Sequence, residues 1–405
     1  MRLPTVPPTA GLPLQFGDLL PWRGGDLGRD LAAWLQLPEL QLECSGTSAL
    51  MVALRALKAL EPGRSEVVAP AYTCPLVALA IAQCGLQLRL CDLRADALDM
   101  DPDALRGLCS ARTLAVLPTH LCGRVADVDQ ALACARTVGA YVIEDAAQAL
   151  GARNGGESVG LRGDLGFFSL AVGKGLSTFE GGVLVAREAS MRTALRQASA
   201  AGFNPGWELR RCVELLGYAA LYRPLGLGLA YGRPLAQALS RRDWVEAAGD
   251  DFGDFIPQHA LGRWRQRVGA NALRRLDAFQ REAQQRAMGR VARLQALGLE
   301  VVADAAAGAQ GVWPVILLRL PSGQLRDDFL QSHWGDGSGL SLPFVHVLPD
   351  YGRYNHVLGA AGGDAVGRAR DWAQRLLAIS NSPWLDDSRF ERLLSDLQRL
   401  LPRSG

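Results

Sequence analysis

Residues 141–152 have the sequence YVIEDAAQALGA, in which a short β-rich run ends in two carboxylates, Glu144 and Asp145. A run of this length and composition predicts a buried strand. The carboxylates then follow the carboxyl end of that strand, which is where open α/β sheets bind their ligands. An acidic residue at this place can also be the N-cap of the next helix, and the residues alone leave both interpretations open.

On both sides of this stretch, between residues 40 and 190, short apolar runs alternate with segments of helical periodicity. This alternation predicts an α/β domain with a mainly parallel sheet flanked by helices. Helices are expected from near Thr47, at 76–83 and at 127–138. The expected strands are EVVAP (66–70), LQLRLCDL (86–93), TLAVL (113–117), YVIEDAA (141–147), GFFSL (166–170) and GGVLVA (181–186).

We assign residues 1–257 to this large domain, 258–296 to a long connecting helix and 297–405 to a smaller C-terminal α+β domain. The connecting segment is rich in Arg and Ala and carries Leu or aromatic residues at helical spacing. The small domain is predicted from a strand at 312–320, a helix, a strand near 340–345 and two C-terminal helices.

Residues 203–250 interrupt this order with an apolar insertion centred on LLGYAALYRPLGLGLAYGRPLAQAL. Arg223, Pro224 and Arg233 divide its apolar runs, so no transmembrane helix is predicted. We expect the insertion to pack on its own domain or on a second subunit. The alternative is a lid, rich in Leu and Tyr and flanked by Arg, that contacts a membrane or a lipid.

The charge balance of the 405-residue chain excludes one class of partner. Lys and Arg number 43 against 41 Asp and Glu, which argues against a nucleic-acid-binding protein. The eight cysteines form no C-x-x-C pair or Cys/His cluster, so no metal site is expected. Scattered single cysteines and a start without the apolar core of a signal peptide favour a cytoplasmic location. No G-x-G-x-x-G follows an early strand, which argues against a nicotinamide-binding enzyme.

Lysine is almost absent from the chain, which contains only Lys58 and Lys174 beside 41 arginines. Arginine cannot replace a primary amine that must lose its proton and attack a carbonyl. Lys174 stands between Gly173 and Gly175 in a loop between two predicted strands, which suits such a nucleophile. Lys58 falls in the last turn of a helix, where a cation interacts favourably with the helix dipole, and we assign it no chemistry.

Two further segments have features of ligand-binding sites. Gly46, Thr47 and Ser48 open a helix, where free backbone amides and hydroxyls can bind phosphate, although Ser and Thr are also ordinary N-caps. A carboxylate such as Asp145 can keep a pyridine nitrogen protonated and make the ring an electron sink.

In order and character these segments resemble the DegT/DnrJ/EryC1/StrS aminotransferases. These are fold-type-I enzymes that use pyridoxal 5'-phosphate (PLP) and mostly aminate keto groups of nucleotide sugars. Weaker similarity extends through 270–279 to 376–387, so that most of the chain is covered. The runs that carry the resemblance are SGTSAL (45–50), PAYTCPLVALAIAQCGLQLRLCDL (70–93), PTHLCGRVADVD (118–129), IEDAAQALGA (143–152) and FSLAVGKGLSTFEGG (168–182).

The resemblance implies a role for individual residues. Lys174 holds the cofactor covalently and shuttles a proton, Asp145 pairs with the pyridine nitrogen, and Gln148 bonds the phenolic oxygen. Relatives with His at the lysine position act as dehydratases, so Lys174 favours transamination. The residues implied for the phosphate are Gly46, Thr47, Ser48 and Ser169.

The chain also departs from the family pattern. Cys74 stands where an aromatic residue usually stacks on the cofactor ring, and Tyr72 is a candidate to stack or to contact the substrate instead. Gln258 aligns with the Asn of an Asn-x-Arg-Met motif that reaches the phosphate from the neighbouring subunit. His120 falls in a loop near the active site, as a substrate contact or as a residue behind the site.

The resemblance therefore implies a homodimeric PLP-dependent aminotransferase with its active site at the subunit interface. An amino acid, with glutamate as the first candidate, donates nitrogen to a keto group of a nucleotide-linked sugar. The departures keep a cyclitol, a lipid-linked sugar or a natural-product ketone open as acceptor. A non-catalytic regulator of the same fold is the remaining alternative, and the retained Lys174 argues against it.

Overall fold

The computed structural model describes residues 5–20, 24–199 and 202–401. Within these residues a mixed sheet of seven strands forms the large domain, in the order β1-β9-β8-β5-β4-β2-β3. A hairpin, Arg153–Asn154 (β6) with Glu157–Ser158 (β7), lies outside this sheet. The sheet strands are Gln41–Glu43 (β1), Glu66–Pro70 (β2), Gln87–Cys91 (β3), Thr113–Val116 (β4), Tyr141–Asp145 (β5), Leu165–Ser169 (β8) and Gly182–Val185 (β9).

The predicted parallel core is confirmed. The neighbouring pairs from β3 to β8 run parallel, whereas β9 pairs antiparallel with both β8 and β1. The strands are short and almost wholly apolar because helices cover both faces of the sheet. Since β5 and β8 are parallel neighbours, their carboxyl ends meet at one edge and bring Asp145 close to Ser169.

Helices alternate with the strands. In the large domain they are Leu27–Trp34 (α1), Gly46–Leu60 (α2), Pro75–Gln83 (α3), Pro102–Leu108 (α4), Val128–Arg136 (α5) and Ala189–Ala198 (α6). The insertion contributes Pro205–Leu221 (α7), Pro224–Leu227 (α8), a π-helical turn at Gly228–Gly232, Arg233–Ser240 (α9) and Trp244–Ala248 (α10). Next come Arg263–Leu273 (α11), Leu276–Ala296 (α12), Gly323–His333 (α13), Asn355–Leu358 (α14), Gly367–Arg375 (α15) and Asp387–Leu400 (α16).

The small domain contains an antiparallel sheet in the order β10-β11-β13-β12. Its strands are Glu300–Val301 (β10), Val315–Arg319 (β11), Leu340–Ser341 (β12) and Leu376–Ser380 (β13). β12 is shorter than the predicted 340–345, because Pro343 has no N–H to donate to a ladder. β13 is buried along its whole length and pairs with both neighbours, although the sequence did not predict it.

The prediction of one helix over 258–296 is wrong. Residues 258–262 are not helical, and the helical part is divided between α11 and α12 at Arg274 and Arg275. Arg275 donates a hydrogen bond to the carbonyl oxygen of Pro13, at 3.0 Å, and pairs with Asp18. The break places this side chain on the N-terminal segment, which packs against α11.

The insertion bridges the two domains. Glu208 of α7 forms a buried ion pair with Arg265 of α11, at 2.6 Å, which ties the insertion to the large domain. Farther along, Trp244 of α10 packs edge-to-face on Trp334 of the small domain. None of the helices described in the structure is both long and apolar enough to cross a bilayer.

Gly182 lies in close backbone contact with Ser45, at the start of α2. A Cβ atom on Gly182 would lie 2.1 Å from the carbonyl oxygen of Ser45, the residue that caps α2. We therefore expect Gly182→Ala to lower the free energy of unfolding by at least about 2 kcal/mol, because backbone must move. Chemical denaturation measures this loss.

The matched control is Gly217→Ala in α7, where an added Cβ meets nothing within 4 Å. Alanine there is expected to stabilise the protein by about 0.5–1 kcal/mol. Equal stability of the two variants would contradict the proposed close approach.

Candidate active site

Asp145 is a buried carboxylate at the carboxyl end of β5. Its Oδ1 accepts a hydrogen bond from the backbone N–H of Ala147 at 3.1 Å, while Oδ2 has no partner in the part of the chain that the structure describes. Burial raises the pKa of Asp145, and the nearby Lys174 and His120 partly oppose the shift. Oδ2 can therefore accept a further hydrogen bond, and a cationic donor would offset the cost of burying the charged carboxylate.

Lys174 lies in the loop between β8 and β9. Gly173 before it has φ +77°, and a Cβ there would lie 2.4 Å from Oγ1 of Thr9, so the tight turn requires glycine. Burial lowers the pKa of Lys174, although interactions with Cys74, Cys122 and Asp145 oppose the shift. A lower pKa increases the fraction of neutral amine, which is the nucleophilic form.

The N-terminal segment covers this loop, which the sequence did not reveal. The backbone N–H of Leu12 donates to the carbonyl oxygen of Gly175 at 3.1 Å. Tyr222 of the insertion fastens the segment, because its hydroxyl donates to the carbonyl oxygen of Thr9 and accepts from the N–H of Gly11. The lysine loop is thus held from outside by residues more than 150 positions earlier in the chain.

The predicted phosphate-binding residues come together. Ser45 caps α2 by accepting a hydrogen bond from the N–H of Ser48 at 3.0 Å. A Cβ on Gly46 would lie 2.9 Å from Cβ of Ser169, so the first turn of α2 directly contacts the end of β8. Gly46, Thr47 and Ser48 therefore present the amino end of α2 beside the Ser169 hydroxyl, an arrangement typical of phosphate sites.

Gln148 follows Asp145 by three residues and faces the same cavity as Lys174. Its Oε1 accepts a hydrogen bond from the backbone N–H of Cys122 at 2.6 Å. The amide nitrogen of Gln148 has no partner in the described residues, so it remains able to donate to a ligand.

His120 is fully buried and both of its ring nitrogens are engaged. Nδ1 accepts from the N–H of Ala126 at 3.0 Å, so the ring hydrogen is on Nε2, which donates to Glu144 at 3.0 Å. Glu144 also accepts from the backbone N–H groups of Gly160, Arg162 and Gly163. This network places His120 behind the strand end rather than at the cavity.

Tyr72 is also engaged with protein atoms. Its hydroxyl donates to the carbonyl oxygen of Phe344 at 2.9 Å and accepts from the N–H of the same residue at 3.2 Å. Burial raises the pKa of Tyr72 well above its usual value. Tyr72 thus joins the large domain to the loop after β12.

Cys74 precedes α3 and is partly buried close to Lys174. Burial raises its pKa to about 12, so the thiol is uncharged. Gln258 lies against the flank of α2 beyond the first turn, where its Oε1 accepts from Arg55 Nη1 at 2.7 Å. Among the described residues, the side chain of Gln258 hydrogen-bonds Arg55 and Met51 and does not hydrogen-bond Lys174.

Asp250, at the end of the insertion, is a buried acid that the sequence did not reveal. Its carboxylate accepts hydrogen bonds from the N–H of Val345, at 2.8 Å, and from the hydroxyl of Tyr351. Burial raises its pKa to about 6. The insertion is thereby attached to the same loop that Tyr72 holds.

A cavity of about 160 Å³ opens beside Lys174. The large domain, the N-terminal segment, the insertion and the small domain all contribute to it. Its lining consists of Pro8, Thr9, Cys122, Gln148, Gly173, Lys174, Gly175, Tyr231, Ala247, Ala248, Pro314, Val315, Ser341, Leu342, Pro343 and Ala378.

Comparison with known proteins finds similarity to the predicted family over about half of the chain. The model of the DegT/DnrJ/EryC1/StrS aminotransferase family matches residues 27–220. GDP-perosamine synthase of Caulobacter vibrioides is 31% identical over 50% of this chain and 54% of its own length. The L-glutamine:2-deoxy-scyllo-inosose aminotransferase of Streptomyces fradiae is 30% identical over 48% of this chain and 49% of its own length. The chain thus spans about half the length of these curated relatives.

The fold is also that of solved structures. One protein of Streptococcus pneumoniae, described as a sugar aminotransferase and solved in its PLP form, superposes with a TM-score of 0.73. It is 16% identical, and the superposition covers 98% of each chain. The predicted fold-type-I architecture is therefore confirmed over nearly the whole chain.

The raised pKa of Asp250 predicts a pH-dependent stability. Because the folded protein binds this proton more tightly than an unfolded aspartate does, stability from this group is greatest below pH about 4 and falls toward pH 6. We expect Asp250→Asn to show a shallower decline over this interval in the cofactor-free protein. Denaturation at a series of pH values measures the slope.

Asp254→Asn is the control, because Asp254 is an exposed acid four residues away. Its slope should equal that of the wild type. If Asp250→Asn also keeps the wild-type slope, Asp250 does not titrate as its burial implies.

Proposed function

We propose that this chain is a PLP-dependent aminotransferase of the DegT/DnrJ/EryC1/StrS family, whose model matches residues 27–220. It moves an amino group from an amino acid, with glutamate as the first candidate, to a keto group of a sugar or a related ring. The observation that carries this proposal is the grouping of Lys174 and Asp145 in one buried site beside the first turn of α2.

The residues of the site fit PLP in three respects. Oδ2 of Asp145 is without a partner among the described residues and can accept from a protonated ring nitrogen. The amide of Gln148 is available for the phenolic oxygen, and the amino end of α2 with Ser169 is available for the phosphate. A Cβ on Gly46 would obstruct this contact, which accounts for the glycine.

When bound, PLP supplies an electron sink for the bonds around the carbon that carries nitrogen. Lys174 contributes an amine whose lowered pKa lets Nζ accept a proton at that carbon and return it. Asp145 keeps a proton on the facing ring nitrogen, because its carboxylate is buried and needs a cationic partner. The His120–Glu144 network holds the end of β5 in place, and the N-terminal segment and the insertion limit the access of water to the cavity.

The printed names of the relatives suggest two acceptor classes, a nucleotide-linked sugar and a cyclitol. A lipid-linked sugar and a natural-product ketone are further candidate acceptors, because each can present a keto group. Against a non-catalytic regulator, the chain retains a half-buried lysine with a lowered pKa, which is costly to keep without a chemical role.

We further propose a homodimer, with Gln258 contributing to the neighbouring subunit's site and with the protein located in the cytoplasm. α7 exposes large apolar side chains at helical spacing, Leu209, Val213 and Leu216, and the segment after it exposes Leu225 and Leu229. A second copy of the chain is the occupant that we propose for this face. Contact with a membrane or a lipid is the alternative.

Lys174→Arg should abolish covalent attachment of PLP while preserving charge and fold, because a guanidinium cannot act as the attacking amine. Borohydride reduction followed by mass spectrometry detects the attached cofactor, and absorbance shows whether glutamate bleaches the band of lysine-bound PLP. Labelling of Lys174→Arg would contradict the assignment.

The control is Lys58→Arg, which changes the other lysine of the chain. Nζ of Lys58 donates to the carbonyl oxygens of Pro62 and Arg64 beyond the end of α2, far from the cavity. Its labelling and its bleaching by glutamate should equal those of the wild type.

The dimer proposal is tested by sedimentation velocity. The wild type should sediment at about twice the 43.4 kDa chain mass, and Leu209→Asp should shift it toward the monomer because a charge would be buried at the interface. A wild-type monomer that partitions onto anionic vesicles would instead support the membrane alternative.

A further inference from the structure

The cavity beside Lys174 has a wall that the family resemblance does not account for. Tyr231, Ala247 and Ala248 all belong to the insertion, and each lines this cavity. The three residues lie in or after the π-helical turn at Gly228–Gly232. The insertion is thus part of the site and not only a packing element.

The π-helical turn has a local cause. Pro234 has no N–H and its ring crowds the carbonyl of the residue four positions earlier. The chain widens over Gly228–Gly232 before it continues as α9. Such turns are frequent at functional sites because they reorient one side chain in an otherwise regular helix. Here the side chain carried by the turn is Tyr231.

The ring of Tyr231 is held by packing on both sides. It contacts the large-domain cluster that contains Tyr222 and Leu227, and the small-domain cluster that contains Leu235 and Trp334. Its hydroxyl, in contrast, has no hydrogen-bond partner among the described residues. A rigidly placed phenol with an unused donor beside a cavity is typical of ligand recognition.

The rest of the lining indicates the chemistry of the ligand. No Arg, Asp, Glu or His lines the cavity in the described part of the chain, and Lys174 is its one cationic side chain. The hydroxyls of Thr9 and Ser341, which also line it, have no hydrogen-bond partner within the described residues. Apart from Lys174 the wall is uncharged, and its three hydroxyls suit a neutral, hydroxyl-bearing ring.

The size and place of the cavity agree with this chemistry. At about 160 Å³ it is smaller than the roughly 300–1,000 Å³ of pockets for drug-sized ligands, so it suits a single ring and not a whole nucleotide. Asp145 and the residues proposed for the phosphate do not line it. The cavity therefore adjoins the proposed cofactor site at Gln148 and Lys174 and extends from there toward the insertion and the small domain.

We propose that Tyr231 is a specificity-determining residue that hydrogen-bonds a hydroxyl group on the neutral ring of the keto acceptor. This proposal rests on the proposed aminotransferase function. The ring can be a free cyclitol ketone or the keto sugar of a nucleotide-linked substrate, whose nucleotide then remains outside the cavity. Thr9 and Ser341 complete the polar contacts.

The test compares Tyr231→Phe with the wild type in the PLP-loaded form, which carries no amino group to transfer and therefore binds keto compounds without turnover. Two probes are used, 2-deoxy-scyllo-inosose and UDP-N-acetyl-3-dehydro-α-D-glucosamine, and isothermal titration calorimetry measures their Kd. For whichever probe binds the wild type, Tyr231→Phe should raise Kd roughly three- to tenfold, the effect of one neutral hydrogen bond. In separate mixtures with the amine form, absorbance follows the return of the PLP band, and its rate at low probe concentration should fall by a similar factor.

Two controls make the result specific. Tyr218→Phe removes a hydroxyl from a buried tyrosine of the same insertion that does not line the cavity, and its Kd should equal the wild-type value. The charged keto acid 2-oxoglutarate should bind Tyr231→Phe as well as it binds the wild type, within a factor of two.

Binding of either probe unchanged in Tyr231→Phe overturns the proposal, as does a wild type that binds neither probe. A preference for the free cyclitol or for the nucleotide-linked sugar distinguishes the two sources of the ring. Failure of the aminotransferase function itself would show separately, as absence of borohydride-trapped cofactor on Lys174 of the wild type and of Tyr231→Phe alike.

Discussion

The burial of two consecutive carboxylates at the end of β5 is the constraint on which the rest of the site depends. Removing a carboxylate from water costs several kcal/mol unless hydrogen bonds or a counter-charge replace the water. Because successive side chains of a strand point to opposite faces, Glu144 and Asp145 meet different surroundings. Glu144 is satisfied by three backbone N–H groups and His120, so residues 160–163 must wrap behind the strand. Within the described ranges of the chain, one oxygen of Asp145 has no partner and can bind a ligand.

Much of the large domain could be predicted from the sequence because short stretches of neighbouring residues determine its strands and helices. Each buried parallel strand is a short apolar run, and the carboxylates and Lys174 follow strands whose ends share one edge of the sheet. Residue type also helped, because Lys174 is the only lysine that lies between two glycines. The segment proposed to bind phosphate was predicted on the same grounds, and the structure places Gly46 against Ser169.

The features that the sequence did not reveal depend on distant contacts. β13 follows α15 without a turn signal, so its apolar residues could not be distinguished from a continuing helix. His120 and Tyr72 lie near the site residues in the sequence. Their polar atoms, however, hydrogen-bond residues such as Ala126 and Phe344, and the sequence does not show these contacts. Tyr231 reaches the cavity only because Pro234 distorts a helix and because both domains pack on the insertion.

The N-terminal segment over the lysine loop has a consequence for how the protein is made. The N–H groups of Val6 and Ala10 donate to the carbonyl oxygens of Gly337 and Pro314, which are synthesised about 300 residues later. At roughly 5–20 residues per second, the ribosome needs about 15–60 s to bridge that gap. During this time the large domain can form its parallel sheet and bind part of the segment through Gly175 and Tyr222, but these two N–H groups lack their partners and the cavity lacks its small-domain wall. The cavity is therefore completed only after the small domain has been synthesised.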